Sequence, residues 1–291
     1  MRDVNAHSEN ELPVRIYASG ENFGIVKTLR SFFREFSAAH ALGYRFAERN
    51  LRARYRQSVL GIFWAFLSPI ATSLIWIILY KSGVVSMKTV GVPYPLFVLT
   101  GTMCWSIFAN AILLPMQTLQ ANRSILVKIN FPREALLVNA FYEILFTTAV
   151  AIIIIVAELL IFRVPLDWHM LLFVPAMFLL IFLGMAIGLT LLPLSILYKD
   201  VQFALPALLQ FAMYLTPVVY AKPIYSGATR ILAFNPVTPV LTSARSWLLG
   251  LDMAAPAWQL LVIASCTAVV LFFGILLQRI SVAILIERMG S

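Results

Sequence analysis

Six apolar stretches dominate this chain and constrain its fold more than any other feature. Each is close to the roughly 20 residues that a helix needs to cross a hydrocarbon layer about 30 Å thick. Because a backbone in lipid must satisfy its own hydrogen bonds, each is predicted to be a helix. The sequence therefore predicts an all-α polytopic membrane protein with six transmembrane helices, at residues 59–80, 94–116, 136–162, 170–197, 201–220 and 256–278.

Composition agrees with this class. Charged residues make up 12% of the chain, against about a quarter in a typical soluble domain. The two cysteines, Cys104 and Cys266, lie inside apolar stretches and have neither a disulfide framework nor metal-ligand spacing. No metal site is expected. The polar residues 1–22 lack the apolar core of a signal peptide, so an internal helix is expected to enter the membrane first.

The positive charges predict the orientation. With the amino terminus inside, the inner segments hold sixteen of the 22 lysines and arginines and the outer segments hold six. The positive-inside rule then places both termini in the cytoplasm. The predicted organisation is a cytoplasmic amino-terminal region (1–58), a six-helix membrane domain (59–280) and a cytoplasmic tail (281–291).

The segment just before the first span is predicted to be an amphipathic helix lying in the membrane interface. Its arginines share one face, and Tyr44, Ala47, Leu51 and Tyr55 share another. An ordinary solvated basic helix is the alternative, which the nearby phenylalanines disfavour. Nucleic-acid binding has no support beyond the charge. The arginines proposed to anchor the helix among lipid headgroups are Arg45, Arg49, Arg52 and Arg56.

The sequence NRSILVKINFPRE, at residues 122–134, interrupts the apolar chain with three cations. Each would cost about 2.5–3.5 kcal/mol at the bilayer centre, so the segment must lie at the surface. Asn122 or Ser124 is expected to cap a short helix that Phe131 and Pro132 end. Its apolar residues are expected to lie on lipid or to dock into a partner.

Sequence patterns for an enzyme are weak. No glycine is followed by lysine, which excludes a P-loop, and the 13 acidic residues are scattered. An ion-coupled carrier would place ionisable groups near mid-membrane. Glu143 and Glu158 lie in the third span, but both are near a predicted membrane face, and we interpret them as boundary or helix-packing carboxylates.

Four motifs, in order and in register with six spans, resemble the membrane subunit of polysaccharide-exporting ABC transporters. This family comprises ABC-2 type permeases that export O-antigen, capsule or teichoic acid chains. The resemblance covers roughly residues 45–280. The motifs are RYRQSVLGIFWAFLSPI (54–70), KINFPRE (128–134), LYKDV (197–201) and NPVTPVLTSARSWLLG (235–250).

The resemblance implies a homodimer of this chain in the inner membrane with two copies of a separate ATPase, exporting a lipid-linked polysaccharide. ATP and Mg²⁺ would be bound by the ATPase, with no cofactor in this chain and no enzymatic activity of its own. The ATPase would engage a cytoplasmic coupling helix between spans two and three, within residues 117–135. The residues thereby implied are Asn122, Arg123, Ser124, Lys128, Phe131, Pro132, Arg133 and Glu134.

The outer loop at 221–255 is broken by prolines and glycines and resembles the outer re-entrant or gate helices of the family. A folded external cap without a gating role is the alternative. Aromatic faces on spans two and five are candidates for lining a sugar path, and rings that simply pack between helices are the alternative. These path candidates are Tyr94, Phe97, Trp105, Phe108, Gln210, Tyr214 and Tyr220. Gly184 and Gly188 predict close helix packing.

Three other functions stay open from the sequence. They are an ABC permease for a drug or small lipid, a secondary carrier, and a non-transporting protein of envelope assembly.

Overall fold

The fold is seen in a computed structural model that describes residues 25–56, 58–83, 91–128, 132–220 and 234–290. Within these residues the chain is helical, with no strand. The elements are α1 (Ile25–Tyr55), α2 (Phe63–Lys81), α3 (Tyr94–Ala121), α4 (Arg123–Lys128), α5 (Glu134–Ile161), a 3₁₀ turn (Trp168–Leu172), α6 (Phe173–Leu197), α7 (Asp200–Leu215), α8 (Val237–Leu249) and α9 (Ala257–Gly290).

Five of the described helices are long and apolar enough to cross a membrane: α2, α3, α5, α6 with its preceding 3₁₀ turn, and α9. They match five of the six predicted spans. The remaining predicted span, at 201–220, corresponds to α7, which has 16 residues and is therefore about 24 Å long. α7 ends at Leu215 because Thr216, which precedes Pro217, is extended (φ −101°, ψ 141°).

α3 is the central helix, and most of its residues are buried. α5 and α6 pack on it, α2 and α8 contact it, and α9 packs on α6. Two glycines bring α6 close to α3. A Cβ at Gly184 would lie 2.6 Å from the Phe108 carbonyl oxygen, and one at Gly188 would lie 2.4 Å from that of Ile112. The prediction of close packing at these glycines is confirmed.

α1 packs along the beginning of α5 through small residues one turn apart: Ala39, Gly43 and Ala47 are buried. A Cβ at Gly43 would meet the Cβ of Val138 at 2.6 Å. The face that was predicted to lie on acyl chains therefore meets protein at Ala47, and at Tyr55, whose ring contacts Phe146.

The two ends of the helix bundle carry different elements. At the α4 end, α4 lies beside the end of α3, the start of α5 and the ends of α6 and α9. At the α8 end, α8 lies beside the start of α3 and the turn that follows α7. These two ends contain most of the polar contacts between helices.

Candidate functional site

Asn122 lies at the α4 end, where the chain turns from α3 into α4. It is fully buried and lies between α3 and α4. Its main-chain carbonyl accepts the N–H groups of Ile125 and Leu126, which starts α4. Its side chain donates to the Thr118 carbonyl at 2.7 Å and accepts from the Arg49 guanidinium of α1. Asn122 thus starts the short helix through its main chain, while its side chain joins α1 and α3.

Leu126 anchors α4 to the bundle. It is buried in a small apolar cluster with Leu119 of α3, Leu136 of α5, Leu192 of α6 and Val282 of α9. The prediction that lipid or a partner covers the apolar residues of this segment is therefore wrong for Leu126, because four helices of the same chain cover it.

The rest of the segment faces outward to differing degrees. Arg123 and Ser124 are exposed, Ile125 is half-buried, and Pro132 and Arg133 are half-buried. The segment therefore presents a polar surface whose inner side is fixed to the bundle. Phe131, predicted to take part in the coupling contact, and the Lys128 side chain lie outside the described residues.

The start of α5 is tied to the end of α9. Glu134 is buried, and its Oε1 lies 3.7 Å from Nε of Arg279. Arg133 donates from Nη1 to the Arg279 main-chain carbonyl at 3.2 Å. The segment at 122–134 is thus anchored at its beginning to α1 and at its end to α9.

Glu143, on α5, is bound by α1. Its side chain is buried and accepts from Asn50 Nδ2 at 3.0 Å and from Arg54 Nη2 at 2.8 Å. Its interpretation as a packing carboxylate is confirmed. Neither partner was predicted from the sequence, although Asn50 and Arg54 are four residues apart and therefore share a helix face.

The four arginines proposed as lipid anchors are all exposed overall. Arg52 pairs with Glu48 on the same helix at 2.5 Å. Arg49 differs from the others because it contacts Asn122 and lies 5.2 Å from the Phe46 ring. Anchoring in a lipid interface stays a prediction for all four arginines, Arg45, Arg49, Arg52 and Arg56.

Arg245 is the main polar residue of the α8 end. It was counted among the outer-loop cations, yet the structure buries it completely. It donates from Nη1 to the Val218 carbonyl at 2.8 Å and from Nη2 to the Pro217 carbonyl at 2.9 Å. Its guanidinium lies 3.7 Å from the centre of the Phe97 ring, a cation–π contact. One side chain thus joins α8, the turn after α7, and α3.

Gly101 makes room for this contact. A Cβ there would lie 2.4 Å from the Val218 carbonyl oxygen and 3.0 Å from Nη1 of Arg245. At the preceding residue, the Thr100 hydroxyl donates to Oε1 of the buried Glu158 at 2.6 Å. The interpretation of Glu158 as a packing carboxylate is thereby supported by its contact with α3.

The predicted path residues fall into two groups. Tyr94, Phe97, Trp105 and Phe108 of α3 are buried within the single chain. Gln210 and Tyr214 of α7 are exposed, and half-buried Tyr220 donates its hydroxyl to the Tyr214 carbonyl. The structure therefore leaves only the α7 group accessible, and packing between helices describes the α3 rings in this chain.

The gate loop predicted at 221–255 is described only in part. Residues 221–233 lie outside the described residues, whereas 237–249 form α8. Gly250, with φ +65°, ends α8 in the left-handed conformation that suits glycine. No group of three potential metal-ligating side chains occurs in the part of the chain that the structure describes.

Comparison with known proteins shows which proteins this chain resembles. The sequence profile described as "ABC-2 type transporter" matches residues 44–249, a range from α1 to the end of α8. The O-antigen export system permease protein RfbA of Myxococcus xanthus is 25% identical over 213 residues, which cover 72% of this chain and 81% of the relative.

Two further relatives have similar coverage. RfbA of Klebsiella pneumoniae is 27% identical over 214 residues, covering 70% of this chain and 81% of that protein. The polysialic acid transport protein KpsM of Escherichia coli is 26% identical over 239 residues, covering 79% of this chain and 90% of that protein.

Proposed function

This chain belongs to the ABC-2 type transporter family, and from that premise we propose that it is the permease subunit of an ATP-driven polysaccharide exporter. It moves a lipid-linked glycan across the inner membrane, and a separate ATPase subunit binds ATP and Mg²⁺ and hydrolyses the nucleotide. The chain itself is not an enzyme. The observations that carry the proposal are the profile match from α1 to the end of α8 and the similarity to an O-antigen export permease and to a polysialic acid transport protein.

The geometry of the α4 end supports the coupling role. A polar helix surface with exposed Arg123 and Ser124 is fixed from behind by buried Leu126 and Asn122. A force applied to such a surface reaches the bundle, because the anchoring side chains pack in its core. The ATPase docks on this surface, and from the sequence we also assign Lys128 and Phe131 to the contact.

The orientation follows from the charges. The α4 end is cytoplasmic, as are both termini, because sixteen of the 22 lysines and arginines then lie inside. α1 carries its exposed arginines at the headgroups of the inner leaflet. The α8 end faces the outside, where α8 and the loop before it form the outer gate.

The membrane domain works as a homodimer of six-span subunits, with α7 as the fifth span. Large apolar side chains are exposed on α2 and α7, a pattern that lipid or a second copy must cover. Gln210 and Tyr214 of α7 and Tyr220 line the glycan path, because aromatic rings pack on the C–H faces of sugars. The exposed apolar residues include Leu74, Ile75, Ile78, Phe203, Leu208 and Phe211.

Co-purification tests the proposal. The full chain is expressed with a P-loop ATPase that is sought in the adjacent reading frames, and the two are reconstituted in lipid. We expect a stable complex and stimulated ATP turnover, and the complete absence of both would refute the coupling. Deletion of the permease is expected to leave glycan inside the cell. If the permease instead exported a drug or small lipid, the same deletion would leave the surface glycan unchanged.

Charge reversal tests the docking surface. Arg123→Glu is expected to weaken ATPase binding by roughly tenfold or more, as for truncated charge pairs at interfaces, while the permease stays folded in detergent. Lys199→Glu, at the exposed turn between α6 and α7, is the matched control. Equal effects of the two substitutions would remove Arg123 from the docking surface.

A further inference from the structure

α9 is longer than a membrane span requires. Its 34 residues form a helix about 51 Å long, whereas the hydrocarbon layer is about 30 Å thick. The excess is about 20 Å, and it is found at the α4 end, where Arg279 and Val282 contact the coupling segment. α9 therefore reaches the start of α5 through Arg279 and the α4 cluster through Val282.

Two polar contacts hold α9 to the segment. Arg279 pairs through Nε with buried Glu134 at 3.7 Å, and its main-chain carbonyl accepts from Arg133 at 3.2 Å. Both partners belong to the segment that the ATPase contacts in the proposed function. One of the two contacts is an ion pair between side chains, and the other ends on the main chain of α9. A displacement of residues 133–134 therefore acts on α9 directly.

An apolar contact holds α9 to α4 itself. Val282 is fully buried in the cluster that contains Leu126. Earlier in α9, Gly274 packs against α6, where an added Cβ would meet the Cβ of Leu189 at 3.0 Å. α9 is one continuous helix from Val282 to Gly274 and beyond, so it connects the coupling segment with the middle of the bundle.

We propose that Arg279 and Val282 are positioning residues through which α9 carries the ATPase-driven movement from the coupling segment into the bundle. The coupling segment and the end of α9 shift as one unit when the ATPase engages nucleotide, and α9 transmits the shift to α6. This inference rests on the proposed function, because it takes α4 as the docking helix.

Hydrogen exchange of the full permease–ATPase complex tests it without any glycan. The complex is compared with and without ATP and vanadate, and deuterium uptake is followed separately in α4 and in the last turns of α9. We expect both regions to respond in the wild-type chain. In Arg279→Gln and Val282→Ala the α4 response persists, and the α9 response falls about fivefold or more, the lower end of typical coupling between sites.

Controls separate coupling from folding. Lys199→Gln removes an exposed cation from another turn and is expected to match the wild type. Glu134→Gln is expected to lower the α9 response by the same factor as Arg279→Gln, and the double variant is expected to lower it no further, because the pair acts as one contact. A mere loss of stability would lower both responses and the unfolding temperature together.

The proposal is overturned if α4 responds and α9 does not in the wild-type chain, or if the α9 response survives in all three single variants. If neither α4 nor α9 responds although the complex forms, the docking role of α4 fails and the proposal fails with it. The α4 response thus distinguishes failure of the proposed function from failure of this inference alone.

Discussion

The two ends of the bundle hold their helices together in opposite ways. At the α4 end several polar contacts connect α1, α4, α5 and α9, and many include a partly exposed partner; Arg54, for example, is 38% exposed where it binds the buried Glu143. At the α8 end Arg245 is 0% exposed and binds main-chain carbonyls that are buried as well.

The two kinds of contact differ in whether water can replace a lost hydrogen-bond partner. A contact with an exposed partner is weak and exchangeable, because water can take the place of the lost partner. A buried guanidinium bound to buried carbonyls has no such replacement, so separating them costs the full desolvation of each group. The α4 end is therefore suited to movement under a partner's influence, and the α8 end to holding one arrangement firmly.

The largest expected effect is at Arg245. Arg245→Ala leaves the carbonyls of Pro217 and Val218 without a donor and opens a cavity, and we expect a loss of about 3–5 kcal/mol in the free energy of unfolding. Unfolding in detergent, followed by tryptophan fluorescence, measures it. Arg245→Lys keeps the charge and part of the volume and is expected to lose less. A loss no greater than that of Arg54→Ala would contradict the comparison.

The next largest effect is expected for a glycine-to-alanine substitution, which can be made at each end of the bundle. In Gly101→Ala the new Cβ meets a main-chain oxygen at 2.4 Å inside the core, and overpacking of this kind costs about 1–3 kcal/mol. In Gly43→Ala the clash is similar, but α1 lies at the edge of the bundle and can move outward. We therefore expect a smaller loss of unfolding free energy for Gly43→Ala, and the reverse order would break the comparison.

A smaller effect is expected at Glu143. Glu143→Ala removes the acceptor for Asn50 and Arg54, and we expect α1 to dock more weakly by about 1–2 kcal/mol. Faster hydrogen exchange in α1, with unchanged exchange in α3, is the measurement. Arg54→Ala should have less effect because Asn50 still binds the carboxylate. Uniform exchange changes throughout the chain would argue against a local role.

The smallest effect is expected at Arg52. Its side chain is 79% exposed where it pairs with Glu48, and exposed pairs contribute only about 0–1 kcal/mol. Arg52→Ala is expected to leave the unfolding temperature in detergent unchanged. Binding to vesicles rich in anionic lipid is expected to weaken modestly, by about 1 kcal/mol for one cation at the surface. A marked loss of stability would show that Arg52 has a partner role.

The spans were predictable because apolar length is a local property. The second span was expected to begin at residue 94, where α3 begins, and the third began two residues from the start of α5. The fifth was predicted five residues too long. The signal was present in Pro217, since a proline disfavours helical geometry in the residue before it, but the apolar run outweighed it.

The polar contacts were not predictable, because the choice of partner depends on the tertiary arrangement. Arg49 had the same helical spacing as its neighbours, and only the position of Asn122 distinguishes it. Arg245 looked like an outer-loop cation. A better signal was available for α1, where Ala39, Gly43 and Ala47 recur every fourth residue, a spacing typical of close helix packing.

The shortness of α7 has a consequence for the bilayer. As the proposed fifth span, a helix about 24 Å long in a hydrocarbon layer of about 30 Å would create a hydrophobic mismatch, and the adjacent bilayer would thin to match it. The thinned zone would border exposed Gln210 and Tyr214. A glycan headgroup entering there has less hydrocarbon to cross, so the membrane itself would lower the barrier beside the proposed path.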